Sequence, residues 1–223
     1  MKTQAPYGYV RDYYKNVADK AKRFPDITEQ WMVNLRHVTG EHVLNLGCGP
    51  TLFDYIPYFG ESPKVCTGID INQSTFDFLR RSRVPALRQA RKALTSGVRM
   101  VCDDVTENIR PSDAEDGTYD SVLAIGFLAG HHGLGFNNLM QRIRQRTCDG
   151  GTLIVISWHG PWRSAEESQQ KKIYGYETTE DTDPDVLAHD INRAGFNLTL
   201  AQTLDCHYTY GWDSIQTCVF HKT

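Results

Sequence analysis

The chain has 223 residues and a mass of 25.3 kDa, long for one domain and short for two. With 40% hydrophobic, 23% charged and 11% aromatic residues it has an ordinary globular composition, which excludes disorder, collagen and coiled coil. A formal charge of −3 gives no positive field to recruit nucleic acid or an anionic membrane.

The opening MKTQAPYGYV has no apolar signal-peptide core, and the strongest apolar run, Ser121 to Ala129, is far shorter than the ~20 residues of a membrane span. The six cysteines are scattered, form no CxxC and show no zinc spacing. The expectation is a cytoplasmic protein with reduced thiols, no metal, no membrane association and no nucleic-acid partner.

In chain order, residues 1–40 read as a helical lid. Tyr7, Tyr9, Tyr13 and Tyr14 come first, then a helix over Thr28–His37. Short β-branched runs follow at Val43–Leu46, Val65–Ile71, Val98–Cys102, Ser121–Ile125 and Thr152–Ser157. Between them, helical spacing marks Ser74–Arg83, Pro85–Thr95 and Asn137–Arg146. Residues 158–183 form a polar stretch long enough to be a functional loop. A helix over Pro184–Ala194 ends at Gly195, and Leu198–Leu204 and Ser214–His221 close the chain as an antiparallel pair at one edge. Alternation of this kind predicts an α/β fold: one doubly wound, mostly parallel sheet of about seven strands, with an antiparallel C-terminal edge strand. Residues 41–223 then form the ligand-binding domain under the lid. A basic run without acids, Arg80, Arg81, Arg83, Arg88, Arg91, Lys92 and Arg99, reads either as a solvated helical face or as an anion or partner patch.

The first strand runs into a glycine turn, Val43-Leu44-Asn45-Leu46-Gly47-Cys48-Gly49-Pro50, and the next strand ends in a carboxylate, Asp70. Glycines let the backbone approach a ligand, and an acid about 20 residues on accepts ribose hydroxyls in nucleoside-binding folds. A pyrophosphate-binding turn needs a third glycine where this chain has Leu52, so the dinucleotide pattern fails.

The chain resembles the class I S-adenosylmethionine-dependent methyltransferases of small-molecule type, over roughly residues 38 to 205. The matching segments are Asn45-Leu46-Gly47-Cys48-Gly49-Pro50-Thr51, Asp70, Val98–Val105, Tyr119–Ile125, Cys148-Asp149-Gly150-Gly151 and Gly195-Phe196. Asn45 stands where the family usually has an acid, and Thr51 replaces the third glycine. The resemblance implies S-adenosylmethionine as cofactor, no metal, and S-adenosylhomocysteine as product. It implies cofactor contacts from Asn45, Gly47, Cys48, Gly49, Asp70, Ile71, Ile125 and Gly126. The adenine side falls to Asp104, with Asp103 close behind, and to Val105. Tyr14 is assigned to the cofactor as well, as a ring stacking on adenosine or facing the sulfonium.

After the fourth strand the resemblance puts acceptor-facing residues at His131 and His132. An oxygen acceptor benefits from a base, and imidazole titrates in the useful range. His131 is favoured over His132. Trp158, His159 and Trp162 follow the fifth strand and form either an aromatic wall for an acceptor or a packed corner. Tyr9 and Tyr13, at i,i+4 spacing, are further acceptor-facing candidates. The implied reaction is in-line methyl transfer to N or O of a small-molecule acceptor. The alternatives are a protein or RNA methyltransferase using the basic run, or a binding protein of the same fold that transfers no methyl.

Overall fold

The computed structural model describes residues 6–82, 97–133, 135–159, 183–206 and 214–223. Seven strands form one sheet in the order β3-β2-β1-β4-β5-β7-β6. They are β1 (His42–Leu46), β2 (Val65–Asp70), β3 (Val98–Cys102), β4 (Tyr119–Ile125), β5 (Thr147–His159), β6 (Phe196–Asp205) and β7 (Ser214–Lys222). Strands β1 to β5 are parallel to one another, whereas β7 runs antiparallel to both β5 and β6. The chain order reverses between β1 and β4, which makes their C-terminal ends the ligand crevice of an open sheet.

The antiparallel pair stands at one edge as expected, but β6 is the outermost strand and the C-terminal strand lies one place in. Burial explains this. The middle of β7 is buried throughout and needs a neighbour on each side, while β6 after its buried first residue is half-buried or exposed, as an edge strand can be. Strand β5 is longer than the predicted Thr152–Ser157 because β7 pairs with it as far as His159.

The helices are α1 (Tyr7–Arg23), α2 (Pro25–Met32), α3 (Leu52–Tyr55), α4 (Gln73–Arg81), α5 (Phe136–Arg146) and α6 (Pro184–Arg193). The helix predicted over Thr28–His37 starts earlier, at Pro25 in its first turn, and tightens into a 3-10 turn over Val33–His37. The predicted helix Pro85–Thr95 lies outside the described residues, as do Arg83, Arg88, Arg91 and Lys92. Two apolar layers sandwich the sheet. Val43, Leu123, Ile154, Ile156 and Val219 pack under α1 to α4. Leu44, Leu46, Val122, Leu153 and Phe220 pack under α5 and α6. Among the described residues no helix is long and apolar enough to cross a membrane.

Candidate functional site

Strand β1 ends in a turn whose glycines, Gly47 (φ +57°) and Gly49 (φ +55°), both adopt the left-handed region. A Cβ on Gly47 would sit 2.5 Å from the Phe127 ring, whereas one on Gly49 would meet nothing within 4 Å. The turn is therefore closed at Gly47 and open at Gly49. The Cys48 N–H donates to the Ile69 carbonyl at 3.0 Å, and the Gly49 N–H donates to Asp70 Oδ2 at 3.0 Å. Burial pushes the Cys48 thiol well above its ordinary range, with the Asp70 charge adding to the effect, so this sulfur is unreactive.

Asp70 is only 8% exposed and closes β2 onto the turn. Its Oδ1 accepts from the Asn72 N–H at 2.7 Å and the Thr75 hydroxyl at 3.5 Å. Burial raises its pKa, opposed by the amide donors of Asn72 and Gly49. The Asn72 side chain donates as well, so four donors match the roughly four lone-pair sites of the carboxylate. Beside it, the Ile71 carbonyl accepts from the Cys102 thiol at 3.5 Å. Asn45 faces the α1–α4 layer in register with Leu123, is 1% exposed, and its Nδ2 has no hydrogen-bond partner.

After β3, Asp103 Oδ1 accepts from the Asp104 N–H at 2.9 Å, and its Oδ2 lies 3.4 Å from Arg110 Nε. Asp104 Oδ1 accepts from the Thr106 N–H at 3.0 Å and the Thr106 hydroxyl at 2.6 Å, an Asx-type turn. Val105 is buried in the α5–α6 layer. Arg142 and Arg146 of α5 hold the same loop by donating to the Thr106 carbonyl at 2.5 Å and the Ile109 carbonyl at 3.0 Å.

At the end of β4, Ile125 is followed by Gly126 (φ +62°), where a Cβ would lie 2.5 Å from the Trp158 ring. The Phe127 ring stacks on His131, centroids 4.2 Å apart, and the Phe127 carbonyl lies 2.8 Å from His131 Nδ1. With Nδ1 donating there, the lone pair of the neutral imidazole is on Nε2. His132 turns the other way, its Nε2 2.9 Å from Asp190 Oδ2 of α6 and its ring edge-on to Phe136. The two adjacent histidines thus have different partners, although Phe127 and Phe136 belong to the same apolar layer.

Trp158 meets Trp31 of α2 edge to face at 6.2 Å, and Trp31 meets Tyr55 of α3 in the same way at 5.8 Å. Trp31 is 3% exposed and its Nε1 has no hydrogen-bond partner. His159 Nε2 lies 2.7 Å from the Ser157 hydroxyl. Trp162 lies outside the described residues. From α1, Tyr9 packs half-buried on the cluster that holds Trp31 and Trp158. Tyr13 is exposed on the helix surface. Tyr14 is buried, its hydroxyl 3.4 Å from Asp54 Oδ1. Burial, reinforced by the Asp54 charge, raises the Tyr14 phenol pKa, and burial lifts the Asp54 carboxyl to about 6.

The structure thus joins the glycine turn to Asp70 at the ends of β1 and β2 and packs Gly126 against Trp158 at the ends of β4 and β5, with Tyr14 on Asp54 and Phe78 and His131 on Phe127. It leaves His132 and Tyr13 turned away. Sequence reading passed over Trp31, Tyr55, Asp54 and Phe127. The only signal for Trp31 was an aromatic at helical spacing, which reads as core. Among the described residues no group of three or more His, Cys, Asp or Glu is arranged to hold a metal ion.

No protein-family model matches the chain, and no curated protein matches it in sequence. Solved structures do match it in shape. The N-methyltransferase NodS from Bradyrhizobium japonicum WM9, in complex with S-adenosyl-l-homocysteine, superposes with a TM-score of 0.62 at 13% identity, over 97% of each chain. The magnesium protoporphyrin IX methyltransferase ChlM from Synechocystis PCC 6803, with bound SAH, gives 0.55 at 15% identity, over 94% of this chain and 86% of the other. The [4+2]-cyclase SpnF gives 0.57 at 14% identity, over 87% and 80%. The fold is that of the class I methyltransferases. The superposition on NodS spans nearly the whole chain, so it takes in all seven strands of the sheet.

Proposed function

We propose that the chain is an S-adenosylmethionine-dependent methyltransferase acting on N or O of a small molecule, with residues 1–40 as a lid over a cofactor domain at 41–223. The observation that carries this reading is the junction of the open glycine turn with Asp70. There a backbone N–H of the turn and a strand-end carboxylate meet at 3.0 Å, next to a glycine with nothing within 4 Å of its missing Cβ. In this reading a ribose hydroxyl replaces one of the four donors on Asp70, and the buried, unpartnered Asn45 Nδ2 offers a donor to an amino-acid carboxylate. Asp103, Asp104 and the Val105 amide border the adenine side, with Tyr14 closing the turn from α1. These residues fit the nucleoside, with Asn45 supplying a neutral donor where the family carries an acid.

The cofactor supplies an electrophilic methyl on a cationic sulfur. The chain supplies position, which accounts for most of the acceleration of a displacement. Trp158, Trp31 and Tyr9 form the apolar wall against which an acceptor ring lies, and they exclude water from it. His131, its Nδ1 held by the Phe127 carbonyl, takes the acceptor proton on Nε2.

Calorimetric titration with S-adenosylmethionine and S-adenosylhomocysteine, with NAD as control, tests the reading. Micromolar binding of the sulfur nucleosides and none of NAD is expected. Asp70→Ala is expected to weaken binding by about 1.5–3 kcal/mol, the range for a hydrogen bond to a charged group. Unchanged affinity in a folded variant removes the ribose role. A second reading, a nucleoside-binding protein that transfers no methyl, draws on Asn45 and on the presence of a cyclase among proteins of this shape. Tight nucleoside binding without turnover of any acceptor favours it.

A further inference from the structure

A second cavity, of about 380 Å³, opens between α1 and α4. Its floor is aromatic, with Phe78 at the centre and the Tyr7 and Tyr14 rings tilted against it at 6.0 and 5.2 Å. Its rim is cationic, formed by Arg11 and Lys15 of α1 and Arg81 of α4. On α1 the four lining residues fall at i, i+4, i+7 and i+8, a single helical face, so the arrangement follows from the packing of one helix on another.

The charge is lopsided. Among the described residues no carboxylate lines the cavity. Arg11 gives its Nε to Asp12 at 2.9 Å, while neither Lys15 nor Arg81 forms an ion pair among the described residues. Arg81 also belongs to the basic run that the cofactor reading left unexplained.

We infer that this cavity binds a small planar aromatic anion, a ring carrying a phosphate, sulfate or carboxylate. The ring lies on the Phe78 and Tyr14 faces, where offset stacking adds to apolar burial. The anionic group meets Lys15 and Arg81 through charge-assisted hydrogen bonds, and the arginine fork can take two oxygens at once. The volume is at the small end of the range for ligand pockets, enough for one ring system and its substituent. A nucleic-acid strand fits less well, because the chain is acidic overall and the cations ring a pocket rather than line a groove. The site is separate from the proposed cofactor crevice but shares a residue with it. The Tyr14 ring floors the cavity while its hydroxyl reaches Asp54 beside the glycine turn.

The test is calorimetric titration of the full chain with 1-naphthyl phosphate, alongside 1-naphthol and inorganic phosphate as its two halves. Each titration is run with and without S-adenosylhomocysteine. The expected result is one site per chain, bound at least about tenfold more tightly than either half and retained when the nucleoside is present. Lys15→Gln with Arg81→Gln, two exposed positions, is expected to weaken it at least about tenfold with an unchanged melting temperature. Four results overturn the proposal: inorganic phosphate binding as tightly as the whole probe, loss of binding when S-adenosylhomocysteine is added, indifference to the two substitutions, or no binding at all. Tighter binding of a single-stranded RNA, abolished by the same substitutions, also overturns it and moves the ligand class to nucleic acid.

Discussion

The two sides of the crevice are built from different materials. On the β1–β2–β3 side the groups are backbone amides and short acids: the Gly49 N–H on Asp70 Oδ2, the Asn72 N–H on Oδ1, and Asp103 and Asp104 folded into their own turn. On the β4–β5 side they are rings: Phe127 over Gly47, Trp158 over Gly126, and Trp31 and Tyr55 brought in from α2 and α3. The first side is fixed by strand register and local turns. The second exists only after the N-terminal helices have packed. Under the proposed function, the polar side made this way suits one invariant ligand, and the aromatic side assembled from separate elements selects the acceptor.

The sharpest way to break this division is at His131, which stands among the rings but has polar chemistry. Under the proposed function, His131→Gln lowers kcat by about 10²–10⁴-fold, the usual loss of a general base, with nucleoside affinity retained. Steady-state kinetics with the best acceptor checks it. A kcat within twofold of the parent makes His131 a wall like its neighbour Phe127.

The glycines give a comparison in stability rather than rate. Gly49 and Gly126 both have left-handed backbone, so alanine at either meets a conformational penalty of about 1–2 kcal/mol. Only at Gly126 does the new methyl also strike a ring, Trp158 at 2.5 Å, which adds about 1–3 kcal/mol of overpacking. Denaturant unfolding is expected to show Gly126→Ala destabilised by about 2–5 kcal/mol and Gly49→Ala by about 1–2 kcal/mol. Equal losses would mean that the aromatic side yields as easily as the open turn.

The same division decided what could be read before folding. Asp70 was legible because a strand-end acid after a glycine turn is a local pattern, and the structure joins the two at 3.0 Å. Asp104 was ambiguous for a physical reason. An aspartate just after a strand suits a ligand amine and an Asx turn equally, and its Oδ1 is engaged by Thr106. Trp31 was invisible because its partners, Tyr55 and Trp158, are 24 and 127 positions away in the chain, and only packing brings them together. The sheet came through well from β-branched runs, whereas the length of β5 depended on a partner, β7, that is the last strand to be made.

Asp54 tests how firmly α1 is tied to the polar side. Burial lifts its carboxyl to about 6, while the Tyr14 hydrogen bond pulls the other way. The folded protein therefore holds this proton more tightly than the unfolded chain, whose aspartates titrate near 4. The resulting destabilisation is absent below about pH 4, grows between pH 4 and 6, and is constant above that. Asp54→Asn removes it, with an expected gain of about 2–3 kcal/mol at pH 8 and none at pH 4. Thermal melts of both proteins at the two pH values measure it. A gain that does not depend on pH would show that Asp54 is not the titrating group.

The smallest effect is expected at His132, next to the residue with the largest. Its Nε2 lies 2.9 Å from Asp190 on α6 and its ring rests on Phe136, so it ties the end of β4 to α5 and α6. The partners are partly exposed, with side-chain exposures of 20% and 30%, so the pair contributes no more than about 1 kcal/mol. His132→Ala should lower stability by that much and leave kcat unchanged, and Asp190→Ala should match it. The double variant should then lose less than the sum of the two single losses, as contacting residues do. Additive losses would show that the two side chains act independently. A fall in kcat at His132 equal to that at His131 would place both imidazoles at the acceptor and end the division of roles argued from their different hydrogen-bond partners.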